Sequence, residues 1–175
     1  MKYGTENEDN GLKKYSHRKQ VSVAKTGLWI NKNYVHLAGS PDGLAFDDNG
    51  KLVGFVEVKC LNILELHSVE NIVAKNCPIN EIKRQCFDVK NGQLVLKKSH
   101  TYTFYQVQLQ LLVTNGDYCD FVLYSAVGPP SIERIYPDME IQKRIGDSTK
   151  LFWEKVFLPE YFLMRVPKGL LPILL

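Results

Sequence analysis

The spacing of apolar and polar positions in the first third of the chain predicts two neighbouring strands. Residues 52–60 predict a strand buried on both faces, because residues 53–60 are apolar apart from Glu57 and Lys59. Residues 34–39 predict an earlier strand, and the turn signal at residues 47–50 returns the chain toward the apolar run. The two strands are therefore expected to lie side by side in one sheet.

Periodicities in the remaining residues predict further elements around this pair. Helices are predicted near residues 5–19, 101–114 and 139–157, and further strands near residues 20–30 and 118–124. Asn115 and Gly116 supply a stop for the middle helix, and Pro159 is expected to end the last one. The spacing in the last helix predicts core positions at Ile141, Ile145, Phe152 and Val156, with Trp153 at their margin.

Glu57 and Lys59 are the polar residues of the predicted buried strand. Because side chains alternate along a strand, these two point to one face, and Val56, Val58 and Cys60 point to the other. Burial of a carboxylate and an ammonium group is costly unless something compensates their charges. A divalent metal ion with its anionic ligand would do so, and the pattern therefore indicates a functional site.

Asp42 adds a second carboxylate at the end of the predicted strand 34–39, in the sequence Ser-Pro-Asp-Gly. In the predicted pairing, Asp42 and Glu57 come from neighbouring strands and could share one Mg²⁺ ion, with the carbonyl of Val58 as an extra ligand. Pro-Asp-Gly is equally typical of an ordinary turn. Taken alone, Asp42 therefore leaves a turn residue and a metal ligand as open alternatives.

Residues 62–99 form a long variable segment that is expected to be an insertion beside the cleft. Residues 87–95 within it predict a hairpin closed by an Asn-Gly turn. Glu81 and Lys83 repeat the Glu-x-Lys spacing, but they lie in a polar stretch with no preceding aspartate after a hairpin. We interpret this repeat as unrelated to the site.

Four motifs follow one another along the chain. They are Gly-x-x-x-Glu at residues 4–8, Ser-Pro-Asp-Gly at 40–43, Glu-Val-Lys-Cys at 57–60 and Tyr-Gln-Val-Gln at 105–108. In this order they resemble the lambda exonuclease and YqaJ-type viral recombinase family, a branch of the PD-(D/E)xK nucleases. The resemblance covers most of the chain and implies an α/β (α+β) fold with a restriction-endonuclease-like core, a mixed central β-sheet flanked by helices.

The resemblance implies a role for each residue that matches the family's motifs. Asp42 and Glu57 are implied to bind the metal, and Lys59 to position or activate the attacking water. Gln106 is implied to be the active-site glutamine. On the helix 101–114, Tyr102, Gln106 and Gln110 share one face, Gln108 points away from it, and Gln110 is expected to be solvated.

Two further residues have both an implied role and an ordinary alternative. Glu8 is implied to reach the metal site from the first helix, but Thr5 and Glu8 also fit a capping box that would only satisfy the helix start. Ser40 is implied to bind substrate phosphate, but its hydroxyl could instead close the turn.

The resemblance implies a Mg²⁺-dependent deoxyribonuclease, with Mn²⁺ as a substitute, that digests duplex DNA from its ends during recombination. DNA is the implied partner, and a trimer is the implied homo-oligomer. Since the chain begins three residues before Gly4, we expect a domain that lacks the family's upstream N-terminal elements. A noncatalytic DNA-binding or recombination-accessory module of the same fold and an RNA nuclease stay open as alternatives.

Composition and charge add little to this interpretation. A chain of 175 residues that is 45% hydrophobic suits one domain, residues 1–175, and a net charge of +3 does not identify a nucleic-acid partner. Basic clusters near two helices could follow a phosphate backbone or form a solvated face; they contain Lys13, Lys14, His17, Arg18, Lys19, Lys25, Lys97, Lys98 and His100. The four cysteines lack zinc-site spacing, and no signal peptide or membrane span is visible, so we expect reduced thiols and an intracellular protein, nuclear or cytoplasmic.

Overall fold

Short strands and longer helices follow one another along residues 2–75 and 85–174, which this computed structural model describes. The strands are β1 (Ser22–Ala24), β2 (Trp29–Ile30), β3 (Ala38–Gly39), β4 (Gly43–Phe46), β5 (Leu52–Cys60), β6 (Phe87–Lys90), β7 (Gln93–Leu96), β8 (Cys119–Tyr124) and β9 (Ser131–Ile135). The helices are α1 (Lys2–Lys19), α2 (Ile63–Leu66), α3 (Val69–Val73), α4 (Thr101–Thr114), α5 (Met139–Phe152) and α6 (Leu158–Leu163), and a π-helical turn at Trp153–Phe157 joins the last two.

A five-stranded mixed sheet lies at the centre, with the strand order β1-β4-β5-β8-β9. β5 and β8 run parallel, and the other neighbours pair antiparallel. The predicted α/β (α+β) architecture, a mixed sheet flanked by helices, is confirmed. Because β5 occupies the middle of the sheet, its polar residues lie away from both sheet edges.

Different helices cover the two faces of this sheet, so β5 is buried on both faces, as predicted. The face covered by α1 contains Leu12, Tyr15, Val56, Val58, Val122 and Tyr124. The face covered by α4 contains Phe104, Val107, Leu111, Phe121 and Leu123. The polar side chains of β5 therefore point toward α4, since they alternate with Val56 and Val58.

α1 approaches β5 closely at Gly11. A Cβ atom added at Gly11 would collide with the Cγ1 methyl group of the buried Val58. We expect Gly11→Ala to lower the free energy of unfolding by about 1–2 kcal/mol, because overpacking outweighs the gain in helix propensity. Gly4→Ala, in the same helix, adds a Cβ with no described atom within 4 Å and should be neutral or stabilising. Urea denaturation compares the two variants, and equal stability would contradict this close packing.

The predicted strand 34–39 is mostly a turn, and only Ala38–Gly39 forms a strand. The side chain of Asn31 accepts hydrogen bonds from the amides of Asn33 and Tyr34, both at 2.8 Å, and Leu37 donates to the carbonyl of Tyr34 at 2.7 Å. These local bonds satisfy the backbone and compete with strand pairing. Among residues 34–39 only Leu37 is buried, so the alternating apolar residues that suggested a strand do not form a buried strand face.

The predicted helix 139–157 continues beyond its expected end. Pro159 lies in the first turn of α6, directly after the π-helical turn, and the helical backbone runs through this point without a break. The prediction that Pro159 ends the helix is therefore wrong. Ile145 is buried as predicted, whereas Phe152 is half exposed and does not belong to the core.

The variable segment 62–99 contains the predicted hairpin, formed by β6 and β7 with Asn91 and Gly92 in left-handed conformations. Residues 76–84, including the repeated Glu-x-Lys and Cys77, lie outside the described residues. Cys60, Cys86 and Cys119 have free thiols. Within the described ranges, no helix combines the length and the apolar character that a membrane crossing requires.

Candidate active site

β4 and β5 bring Asp42 and Glu57 to the same side of the sheet. Gly43, the first residue of β4, pairs with Val56, so Asp42 and Glu57 occupy the next position of the antiparallel ladder. The amide of Asp42 donates to the carbonyl of Val56 at 3.0 Å, which extends the pairing to this point. Residues opposite each other on neighbouring antiparallel strands share a face, and the two carboxylates are therefore close neighbours.

Glu57 is the centre of a buried polar network. Only 1% of its side chain is exposed, and its Oε1 accepts hydrogen bonds from Lys59 Nζ at 2.5 Å and from Gln106 Nε2 at 2.7 Å. Lys59 Nζ also donates to Gln106 Oε1 at 3.0 Å, which closes a triangle of side chains. These bonds offset the cost of burying the carboxylate and fix the directions of Lys59 and Gln106.

Gln110 belongs to this network, although the sequence analysis placed it on a solvated helix face. It is 3% exposed, and its Nε2 donates to Glu57 Oε2 at 2.7 Å and to the carbonyl of Ser40 at 3.2 Å. The solvated placement is wrong because the helix face that carries Gln106 and Gln110 covers β5. A signal was available in the sequence, since Gln110 lies within the apolar run of residues 109–113.

Asp42 and Lys59 carry charges that their surroundings perturb. Burial and the neighbouring Glu57 raise the pKa of Asp42 to about 7, against the hydrogen bond that Asp42 Oδ2 accepts from the Val58 amide at 2.7 Å. Burial alone lowers the pKa of Lys59, but Glu57 and Asp42 more than offset it, and the pKa lies above its ordinary value. The site thus places two carboxylates around one ammonium group, a surplus of negative charge that a divalent cation would stabilise.

Glu8 lies on α1, near Asp42. α1 begins at Lys2, so Thr5 is inside the helix, and the capping-box interpretation of Thr5 and Glu8 is wrong. Burial and the charge of Glu57 contribute most to the raised pKa of Asp42, and the charge of Glu8 raises it further. Glu8 Oε1 lies 3.9 Å from Lys25 Nζ, and Glu8 therefore belongs to a group of charged side chains next to Asp42.

Ser40 and Val58 lie on either side of Asp42. The Ser40 hydroxyl donates to the carbonyl of Gly27 at 3.2 Å, and its side chain is exposed beside the site. Val58 points its side chain to the α1 face and donates its amide to Asp42. Val58 therefore fixes the Asp42 carboxylate through its backbone.

The donor set suits Mg²⁺. Among the described residues, no three His, Cys, Asp or Glu side chains form a cluster for a metal ion, and Asp42 and Glu57 are two carboxylates that share one side of the sheet. Mg²⁺ commonly binds through one or two carboxylates, with waters in its remaining positions. Two oxygen donors with an excess of negative charge match this requirement.

The basic clusters divide into structural and exposed residues. Lys14 Nζ donates to the carbonyls of Ser125 at 2.6 Å and Gly128 at 2.9 Å, and Lys25 pairs with Asp9 at 2.5 Å. Lys13, His17, Arg18 and Lys19 are exposed on α1. These residues, and the exposed side chains of Lys25 and Lys98, are available to a polyanion.

Comparisons with known proteins agree with this fold. The family described as the YqaJ-like viral recombinase domain matches residues 1–117. An uncharacterized protein of Acanthamoeba polyphaga mimivirus is 29% identical over 126 residues, which are 69% of this chain but only 19% of that protein. Two crystal structures of the alkaline exonuclease LHK-Exo, from Laribacter hongkongensis, are 22% identical and have TM-scores of 0.63 and 0.64. Each match covers 97% of this chain and 74% of the LHK-Exo chain, and one of these structures is a complex with dAMP.

Proposed function

The chain belongs to the family of YqaJ-like viral recombinase domains, and we propose that it is a metal-dependent deoxyribonuclease that digests duplex DNA from its ends during recombination. The observation that carries this proposal is the buried network of Glu57, Lys59 and Gln106 beside Asp42. A module that only binds DNA has no need of a buried carboxylate hydrogen-bonded to a lysine. Metal-assisted hydrolysis of a phosphodiester can use such a set to hold the ion and orient a water.

The metal would be Mg²⁺, with Mn²⁺ as a substitute. Asp42 and Glu57 would hold it, and the Val58 carbonyl and Glu8 are proposed as further donors. When bound, the ion polarises a phosphoryl oxygen, lowers the pKa of a bound water and neutralises charge on the leaving oxygen. Gln110 and Gln106 hold the two oxygens of Glu57 in place for this role.

The remaining polar groups act on the water and the phosphate. Lys59 would position or activate the attacking water, and Gln106, which bonds both Lys59 and Glu57, would keep the ammonium group oriented. Ser40, exposed beside the site, would donate its hydroxyl to a substrate phosphate oxygen. The exposed cations of α1 would attract the DNA backbone.

The deoxyribonucleotide chemistry of the substrate is supported by LHK-Exo, an exonuclease crystallised with dAMP. Incubation of the protein with labelled linear duplex, circular duplex and RNA, each with Mg²⁺ and with a chelator, tests the proposal. We expect only linear duplex to be shortened, and only with Mg²⁺. Cleavage of RNA would point to a ribonuclease, and binding of DNA without cleavage to an accessory module.

A homo-oligomer, with a trimer as the expected form, is part of the proposal. Apolar side chains of the C-terminal segment stay exposed on the single chain, among them Phe162 and Leu171 at 73% and 81%. Apolar residues concentrated in one segment favour an interface between subunits. Light scattering at increasing protein concentration measures the mass, and a monomer at all concentrations would contradict this part.

Gln110→Leu tests the residue that the sequence analysis missed. Loss of its amide leaves Glu57 Oε2 without this donor, and we expect Mg²⁺-dependent cleavage to fall about tenfold, the effect of losing one hydrogen bond to a charged group. Gln108→Leu is the control, because Gln108 is equally buried but bonds the carbonyl of Tyr136 and the amide of Asp138. It should lower stability while leaving the Mg²⁺ dependence unchanged. If Gln110→Leu and Gln108→Leu lowered Mg²⁺-dependent cleavage by the same factor, Gln110 would act only through packing.

A further inference from the structure

Exposed basic side chains form a band over the outer side of α1. This basic band consists of Lys13, His17, Arg18 and Lys19 on α1 and Lys25 on the loop that follows β1. α1 packs on the sheet face that carries Val56 and Val58, whereas Glu57 and Lys59 point to the other face. The sheet and α1 therefore lie between most of the basic band and the polar network of Glu57, and the active site does not account for these cations.

Two adjoining grooves follow the basic band. The first has a volume of about 420 Å³ and lies between α1 and β1, with Lys13, His17 and Lys25 in its lining. The second has a volume of about 400 Å³ and lies between α1 and residues 128–130, with Lys13, His17 and Arg18 in its lining. Because Lys13 and His17 line both grooves, the two form one continuous surface.

The charge of these grooves differs from that of an ordinary solvated helix face. Among the described residues, no acidic side chain lines the second groove, and Asp9, which lines the first, is paired with Lys25 at 2.5 Å. Cations in the last turn of a helix also stabilise its dipole, but Lys13 and Lys25 lie outside that turn. The surplus of positive charge therefore complements a polyanion.

The loop that forms the far wall of the second groove is held in place by α1. Lys14 Nζ donates to the carbonyls of Ser125 at 2.6 Å and Gly128 at 2.9 Å. Pro129 and Pro130 follow directly, and their rings restrict the backbone further. A wall that is fixed in advance loses little conformational entropy when a ligand binds.

The dimensions and lining of the basic band suit the backbone of duplex DNA. From Asp9 to Lys19, α1 rises by roughly 15 Å, which corresponds to about four phosphate spacings along one strand of a duplex. Among the described residues, no Phe, Tyr or Trp lines either groove, whereas sites for single strands combine cations with rings on which bases stack. A duplex keeps its bases stacked inside and presents its phosphates, which are the groups that this surface can bind.

We propose that the basic band binds the phosphate backbone of duplex DNA outside the active site. Lys25 Nζ lies 3.9 Å from Glu8 Oε1, so the basic band begins near Asp42 and leads away from it over α1. The inference rests on the proposed function, since it names a second contact with the same substrate. This contact depends neither on a DNA end nor on the catalytic metal.

Binding to a closed circular duplex, which has no ends, tests the basic band separately from cleavage. Fluorescence anisotropy with a labelled circle, with Ca²⁺ in place of Mg²⁺, gives Kd over a range of salt concentrations. We expect the double variant Lys13→Gln, Arg18→Gln to bind roughly tenfold more weakly at about 0.1 M salt. The slope of log K against log salt should fall in magnitude by about two, because each lost phosphate contact removes about one.

The control is the double variant Lys32→Gln, Lys155→Gln. It removes the same charge from two exposed lysines outside the basic band, one on the turn at residues 31–37 and one on the π-helical turn. Its salt slope should match that of the unchanged protein. All four substitutions change exposed side chains, so the fold should persist in both double variants.

Three results would overturn this inference. They are an unchanged salt slope in the variant of Lys13 and Arg18, an equal fall of the slope in both double variants, and displacement of the circle by single-stranded DNA or polyglutamate as readily as by unlabelled duplex. If linear duplex is not cleaved but binding of the circle depends on Lys13 and Arg18, the nuclease proposal fails and the basic band stands. If linear duplex is cleaved and the slope ignores both residues, the nuclease proposal stands and the basic band fails.

Discussion

Glu57→Gln is expected to abolish Mg²⁺-dependent cleavage of linear duplex while DNA binding persists. Glutamine has nearly the shape of glutamate, but it removes one of two carboxylates that would hold the metal. Metal stabilisation of the transition state is worth several kcal/mol, so we expect a loss of roughly 10³-fold or more in turnover. Gel-based cleavage assays and fluorescence anisotropy with labelled duplex measure the two properties on the same protein.

The control for this variant is Glu133→Gln. Glu133 is also a partly buried strand glutamate with a backbone donor, the Leu96 amide at 2.5 Å, but it lies on β9, two strands away from β5. Its substitution should leave turnover within a few-fold of the unchanged protein. Undiminished cleavage by Glu57→Gln would remove Glu57 from the reaction, and loss of DNA binding would indicate a damaged fold instead.

The centre of the site could be predicted because it depends on short-range geometry. Glu57 and Lys59 lie two residues apart on one strand, so the period of a strand alone places them on one face. Asp42 lies across a single hairpin from Glu57, as the turn signal at residues 47–50 indicated, but it directly precedes β4, and the predicted strand 34–39 pairs with β2 instead of β5. The apolar run of residues 53–60 also marked the strand as buried, and therefore marked its charged residues as unusual.

Gln110 was missed because the spacing of polar residues does not reveal what a helix face covers. Tyr102, Gln106 and Gln110 share a face, but Tyr102 is open to solvent whereas Gln110 is buried against β5. The change from exposed to buried along one face depends on where the helix crosses the sheet, and that is set by long-range packing.

The turn at residues 31–37 was missed for a different reason. There the side chain of Asn31 satisfies backbone amides that a strand would otherwise have paired, and the alternation of apolar residues does not record this. Pro159 shows the same limit, because a proline that ends one helix is also favourable in the first turn of the next. Both cases depend on hydrogen bonds that the apolar pattern does not contain.

Asp120→Ala is expected to cause the largest loss of stability. Asp120 is fully buried on β8, accepts hydrogen bonds from Arg134 Nε at 2.8 Å and Nη2 at 2.9 Å, and accepts another from the Tyr15 hydroxyl at 2.8 Å. Its removal leaves a buried hydroxyl without a partner and an arginine without its carboxylate. Because Arg134 is partly exposed and can recover water, we expect a loss of about 3 kcal/mol, the low end for broken buried pairs.

Urea denaturation measures this loss, with Asp117→Ala as the control. Asp117 is exposed three residues before Asp120, and its substitution should change stability by less than about 0.5 kcal/mol. Tyr15→Phe alone should cost about 1–2 kcal/mol, since it deletes one hydrogen bond to a charged group. In the double variant the two losses should not add, because both remove the same bond between β8 and α1. Simple additivity would mean that the hydrogen bond between Tyr15 and Asp120 does not help to hold α1 against the sheet.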